Sequence, residues 1–276
     1  MTRQPTRAHQ GSAAGKAHRA DAWATAITAT TDERVFVRGR ALDEAIGRTS
    51  FPLMLLRLWR GDDGSEDEAA LLAACLVASI DHGPLAPSAL VIRTIASTQA
   101  TPMAGLAGGI LAFGELHGAV VSRAMRILAS APEEGDLEVW ADEVFEAERA
   151  AGRRIPGVGH RWHRHDLRVE RLLEVAAGVS DSNHEAAIRA LAARVSVHTG
   201  NPTPVNIDGA LAVALTRLRL DPIYGDFLFA IARSFGLAAH FVEEQDRQRP
   251  MRTIDPTAAE YDGVPLPDNY PEQAAE

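Results

Sequence analysis

From residue 52 onward, apolar residues recur three or four positions apart in segment after segment, the period of a helix with one buried face. The pattern predicts helices over 52–60, 66–80, 88–98, 102–113, 118–128, 137–150, 167–177, 183–197, 209–218 and 224–244. Before them, Thr28, Thr30, Val35 and Val37 flank Asp32 and Glu33 and predict a short β-hairpin closed by Arg38-Gly39. Extended β patterns are otherwise missing, so the expected fold class is all-α with a small β element near the start.

The two ends read differently. Residues 1–23 carry Arg3, Arg7, Lys16 and Arg19 among small and polar residues, without the apolar stretch of a secretory leader, and are expected to form a flexible tail. Residues 255–276 hold Asp255, Glu260, Asp262, Asp268 and Glu272 with interspersed prolines, an acidic and irregular tail.

Composition narrows the function. A chain of 276 residues that is 46% hydrophobic can bury a sizeable core, in one large domain or two modest ones. Its net charge of −9 argues against nucleic acid or an anionic membrane as partner. Any anionic ligand must be met by local arginines, since Lys16 is the only lysine. Cys75 stands alone in an apolar run and is expected to be a core thiol, which points to a reducing compartment and a cytoplasmic protein. No uninterrupted apolar run approaches the roughly 20 residues that span a bilayer.

Chemistry concentrates in a few polar islands between the helices. The chain is organised around Arg154-Ile155-Pro156-Gly157-Val158-Gly159-His160-Arg161, continuing through Arg164 and Asp166 to Arg168. Glycine and proline exclude a helix up to His160, and a helix starts after it, so an anion site with a titratable group is expected at a loop entering a helix. Asp81-His82-Gly83-Pro84, Leu116-His117-Gly118 and Asn206-Ile207-Asp208-Gly209 have the same character. A histidine at a helix N-terminus tends to stay neutral and to donate a hydrogen bond to a carbonyl, so one carboxylate with three such histidines suits enol chemistry. Gly105, Gly108, Gly109 and Gly114 look like a dinucleotide loop, but no strand precedes them, and close helix packing accounts for them better.

In order and spacing, Asp81-His82, Ser97-Thr98, Leu116-His117-Gly118, Gly157-Val158-Gly159-His160-Arg161 with Asp166-Leu167-Arg168, Asn206-Ile207-Asp208, and 229–240 with Arg233 and His240 resemble the citrate synthase superfamily. The resemblance covers roughly residues 25 to 252. Asp81-His82-Gly83-Pro84 and the short length are most similar to the citryl-CoA lyase branch and to the citrate-synthase-like module of ATP-citrate lyase. Leu167 stands where the family usually has proline, and the loop before Asp166 is one residue short.

The resemblance implies an all-α, citrate-synthase-like homodimer, with a large helical domain over 24–120 and 223–254 and a smaller helical domain over 121–222. It assigns His117, His160 and Asp208 to catalysis. Asp208 exchanges a proton with the acetyl-CoA methyl, His117 hydrogen-bonds the thioester oxygen, and His160 attends the oxygen of the oxaloacetate half. His82, Arg168 and Arg233 hold carboxylates of citrate or oxaloacetate, Arg161 and Arg164 meet the phosphates of coenzyme A, and Arg252 or Arg249 completes the site from a second copy. The expected ligands are a CoA thioester with oxaloacetate or citrate, as substrates in the chemistry of the tricarboxylic acid cycle, with no metal and no other cofactor. Citryl-CoA lyase is the leading reading, and citrate synthase or 2-methylcitrate synthase the alternative. A metalloenzyme using His160, His163, His165 and Asp166 is disfavoured by the adjacent arginines, and a catalytically silent citrate or CoA binder by the joint presence of Asp208, His117 and His160.

Overall fold

The computed structural model describes residues 24–160, 165–180 and 182–265, and the chain divides into two compact units, 1–50 and 51–276. The expected tail over 1–23 and the second half of the one over 255–276, from 266 on, fall outside the described residues. In the first unit the predicted hairpin forms between β1 (Thr28–Thr30) and β2 (Val35–Val37), with Thr28 opposite Val37 and Thr30 opposite Val35. Residues 31–34 close it. Arg38 and Gly39, at φ 48° and 79°, instead turn the chain into a third strand, β3 (Arg40–Ala41), giving the antiparallel order β1-β2-β3. Two consecutive positive φ values give the turn a twist that matches its strands. A one-turn helix, α1 (Leu42–Ala45), follows, too short to leave a periodic pattern.

The second unit contains all ten predicted helices: α2 (Phe51–Arg60), α3 (Glu66–Ser79), α4 (Pro87–Ser97), α5 (Pro102–Leu111), α6 (Val121–Leu128), α7 (Leu137–Ala150), α8 (Leu167–Ala177), α9 (His184–Thr199), α10 (Ile207–Arg217) and α11 (Ile223–Arg247). Caps set several starts. Ser65 and Glu68 form a reciprocal capping box at α3, and Asp136, Asp166 and Asn206 accept backbone N–H bonds at α7, α8 and α10. Because Asn206 is the cap, α10 begins two residues before the predicted 209 and takes Asp208 into its first turn. The shift at α6 is opposite: residues 114–118 form a tight turn, and the helix starts only at Val121.

α10 is the hub. Ala210, Leu211, Ala212, Val213, Ala214 and Leu215 are all fully buried, so the helix is apolar on every side, as expected of one enclosed by others. α3, α6, α8 and α9 pack around it, with Leu71, Met125, Leu128, Leu173, Ile188 and Leu191 filling the spaces. A smaller cluster joins α4 to the C-terminal half of α11 through Ile92, Ala96, Leu237 and Phe241. α5 enters this cluster on glycine: a Cβ at Gly105 would meet Phe241 Cε2 at 2.5 Å, and one at Gly109 would meet Leu237 Cδ1 at 2.9 Å. Gly105, Gly108 and Gly109 thus serve the predicted close packing, whereas Gly114 belongs to a turn. α11 does reach the length and mean hydropathy of a membrane span, contrary to the expectation that nothing would. It is instead a core helix, burying Leu228, Phe229, Ala232, Leu237 and Phe241 along with the ionisable Arg233 and Glu244.

Glu244 ties the second cluster together. It is 1% exposed; Arg93 Nε donates to it at 2.8 Å, and Arg252 Nε and Nη2 donate at 2.6 Å each. Those bonds, Arg252's first, hold its pKa below the ordinary carboxylate range despite burial. The contribution to stability is therefore present above the unfolded-state value and is lost as pH falls through the lower folded-state value. Glu244→Ala, which strands two guanidinium groups, is expected to cost about 3–5 kcal/mol in urea denaturation at pH 7. A loss under 1 kcal/mol would show the cluster to be a surface decoration.

Candidate active site

The site is built where the loop after α7 meets the start of α10. Asn206 Oδ1 accepts from the N–H groups of Asp208 and Gly209, at 3.0 and 3.3 Å, and its Nδ2 donates to Gly159 O at 2.9 Å. Backbone bonds from Asn206 N to Gly157 O (3.0 Å) and from Gly159 N to Pro204 O (2.7 Å) complete the seam. Only glycine permits this approach: Gly157 has φ +84°, and a Cβ there would lie 2.7 Å from Gly209 Cα. One side of the seam leads directly into His160 and the other into Asp208, two residues separated by 48 positions in the sequence.

A cavity of about 400 Å³ opens at this seam, within the usual range for small-molecule sites. It is lined by His82, His117, His160, Arg168, Asp208 and Arg233, so six of the nine residues singled out from the sequence share one space. His82 and His160 stand edge to face with ring centroids 5.7 Å apart. His117 sits in the 114–118 turn, where Gly114 and His117 exchange backbone hydrogen bonds at 2.9 Å, and its Nε2 lies 2.9 Å from the buried Ser88 hydroxyl. Ser88 therefore fixes the plane of the ring. Of the polar islands that lie wholly within the described residues, Asn206-Ile207-Asp208-Gly209 alone forms a helix N-terminus; Asp81 and His82 follow the C-terminus of α3, and His117 precedes α6 by a short connection.

The charges are uneven. Arg233, 3% exposed, gives Nε to Ser79 O at 3.1 Å and lays its guanidinium 4.9 Å over the Phe229 ring. No carboxylate lies within ion-pair distance of it among the described residues, and burial lowers its pKa against the attraction of Asp81 and Asp208. A buried cation facing a cavity in this way suits an anionic ligand. Arg168 is different: its Nε and Nη2 form a fork on Asp166, at 3.0 and 2.7 Å, which leaves less of it for a ligand. Burial dominates Asp208 and pushes its pKa up to about 6, with Arg233 and Arg168 pulling the other way and Asp226 adding to the rise. The result is a carboxyl group that can be either proton donor or acceptor near neutrality.

Arg252 does not line the cavity, being engaged with Glu244. Arg161, Arg164 and His163 lie outside the described residues, and Asp166, a ligand in the metal reading, is paired with Arg168. Three lining arginines were not singled out as site residues: Arg123, Arg153 and Arg154. The last two adjoin the glycine loop in sequence, which is a readable signal. Arg123 lies on α6, and Ser88 acts from the first turn of α4; their positions follow from packing alone. Because ionising Asp208 opposes folding, stability falls between the unfolded-state pKa and about 6 as pH rises. Asp208→Asn removes that cost and is expected to raise stability by about 2–3 kcal/mol at pH 8, with the gain vanishing near pH 4. Thermal denaturation across this range checks it, and a variant less stable than the wild type at pH 8 would refute the desolvation account.

The comparisons with known proteins bear on this arrangement. The family model described as the C-terminal domain of citrate synthase matches residues 8–254. ATP-citrate synthase beta chain protein 1 of Arabidopsis thaliana is 27% identical over 196 residues, covering 64% of this chain and 31% of that protein. Citrate synthase 2 of Bacillus subtilis is 27% identical over 196 residues, covering 70% of this chain and 51% of that protein. The chain thus spans a third to a half of the length of these curated relatives. Among solved structures, citryl-CoA lyase from Hydrogenobacter thermophilus superposes with a TM-score of 0.79 at 31% identity, over 90% of this chain and 97% of that one. ATP citrate lyase of Methanosaeta concilii superposes at 0.80 with 18% identity, over 90% of this chain and 43% of that one, a likeness of fold. With the family model matching residues 8–254, this chain belongs to the citrate synthase family.

Proposed function

We propose that this chain is a citryl-CoA lyase, which cleaves citryl-CoA to acetyl-CoA and oxaloacetate by acid–base enol chemistry. The observation that carries the reading is one cavity holding Asp208, with its raised pKa, beside three imidazoles and the buried Arg233. Two structural relatives support it: one is a citryl-CoA lyase that this chain matches along nearly its whole length, and the other was solved with citryl-CoA bound.

The chemistry follows from the residues. His160 takes the hydroxyl proton of citryl-CoA, the alkoxide collapses to the carbonyl of oxaloacetate, and the carbon–carbon bond breaks toward the thioester side. His117 hydrogen-bonds the thioester oxygen as negative charge gathers there. Asp208 then protonates the departing enol at carbon. An aspartic acid of ordinary pKa would hold almost no proton at neutral pH, and a value of about 6 gives the acid form a usable population. Arg233 holds a substrate carboxylate. Arg168, already shared with Asp166, adds charge more than a fork, and His82 acts beside His160. Contact of Arg161 and Arg164 with coenzyme A phosphates belongs to the same proposal, as do a homodimer, closure of the 121–222 region over the cleft, and a cytoplasmic location. The reaction as written uses no metal or other cofactor.

The Bacillus subtilis relative favours a second reading, condensation of acetyl-CoA or propionyl-CoA with oxaloacetate followed by thioester hydrolysis. Purified protein given synthetic citryl-CoA should release oxaloacetate without free thiol. Thiol release from oxaloacetate plus acyl-CoA, with no cleavage of citryl-CoA, would replace the lyase by a synthase. Asp208→Asn should lower turnover about a thousandfold while citrate and CoA binding by calorimetry persist. In the cleavage direction Asp208 must start protonated, so kcat/KM should fall as pH rises above about 6. Condensation needs the carboxylate and should rise through the same pH. Arg233→Met removes the charge that favours ionisation and should move this limb to higher pH; a limb that stays in place assigns the titration to another group.

A further inference from the structure

At the opposite end of α10 from Asp208 lies a second cavity, larger than the first, of about 1110 Å³. Nine residues of helix separate Asp208 from Arg217, about 14 Å at 1.5 Å per residue, so the two spaces are distinct. Its wall contains two buried nitrogen atoms with no hydrogen-bond partner among the described residues. Arg217 is 8% exposed; it gives Nε to Ser182 Oγ at 3.1 Å and Nη2 to Ser182 O at 3.4 Å, and its Nη1 is buried with no hydrogen-bond partner. His184 Nδ1 is likewise buried and unpartnered. No carboxylate pairs with Arg217 among the described residues. Burial and the Arg217 charge both depress the His184 pKa, so the ring is neutral near pH 7 and can offer a hydrogen bond without adding repulsion.

The acids around this cavity do not neutralise Arg217. Glu68 is taken up by Arg60, which forks onto it at 2.7 and 2.8 Å, and by Arg219 at 3.1 Å. Glu133 lies at the exposed rim. α9 also begins here, with no side-chain cap on its first turn, which leaves a partial positive charge at its N-terminus. A buried guanidinium without a counter-ion is costly unless an anion reaches it. Donors arrive from α10, from α9 and from the serines before α9, three directions that suit a tetrahedral oxyanion better than a planar carboxylate.

We infer that this cavity is a second ligand site, separate from the active site, which takes a small phosphate-bearing molecule with its phosphate on Arg217 and His184. The inference does not depend on which reaction the first cavity performs. The test uses the full chain with inorganic phosphate and pyrophosphate as probes and acetate at matched ionic strength as control, read by calorimetry and by the rise in Tm. Phosphate binding should survive in Arg233→Met, which alters only the first cavity. It should weaken about tenfold or more in Arg217→Met, the loss of one charge-assisted hydrogen bond. His184→Ala should weaken it more modestly and keeps the test decisive where Arg217→Met does not fold. No saturable phosphate binding to the wild-type chain would overturn the proposal. So would binding that is lost in Arg233→Met but kept in the Arg217 and His184 variants, or acetate binding as strong as phosphate.

Discussion

The candidate site's cavity depends on the seam between two backbone segments at Gly157 and Gly209. Asn206 caps α10 with its oxygen and holds Gly159 with its nitrogen, so a single side chain sets both the helix that presents Asp208 and the loop that presents His160. The two glycines make this distance attainable, since a Cβ on Gly157 would lie inside the Gly209 backbone. Interiors are packed too densely to absorb such an intrusion. The candidate site is placed by these hydrogen bonds, and its titratable groups are carried on what the bonds align.

Around that seam the fold separates two electrostatic tasks. Arg93 and Arg252 both bond the buried Glu244, a cluster in which charges compensate one another and that serves stability. Arg233 and Asp208 are the reverse: both are taken from water, both have pKa values moved by burial, and neither is in an ion pair with the other. Their unmet electrostatic demand faces the cavity. Such unfavourable arrangements persist in a marginally stable protein where the surrounding core holds them, and the apolar, buried middle of α10 supplies that core.

α10 also connects the two ends of the molecule's polar chemistry. Its N-terminus carries Asp208 and its C-terminus carries Arg217, with Gly209 to Leu215 all buried between them. A helix that is apolar on all sides has no solvent-facing stripe on which to place polar groups. They are confined to its ends, and at each end a cavity is found.

The order of the helices, the all-α class and the candidate site were legible in the chain. Helical periodicity survives in any sequence that buries one face, and glycine next to a titratable residue marks where a backbone must turn close to something. Family resemblance added roles that periodicity alone does not carry. What the sequence could not contain was distance. Ser88 beside His117, Arg123 on the cavity wall, Asp166 occupying the fork of Arg168, and Arg252 engaged with Glu244 are pairings between segments whose approach is set by how helices pack. A local pattern names the groups a helix offers. Only the closed tertiary structure decides which of them meet, because burial and charge pairing are properties of the space between elements rather than of any one element.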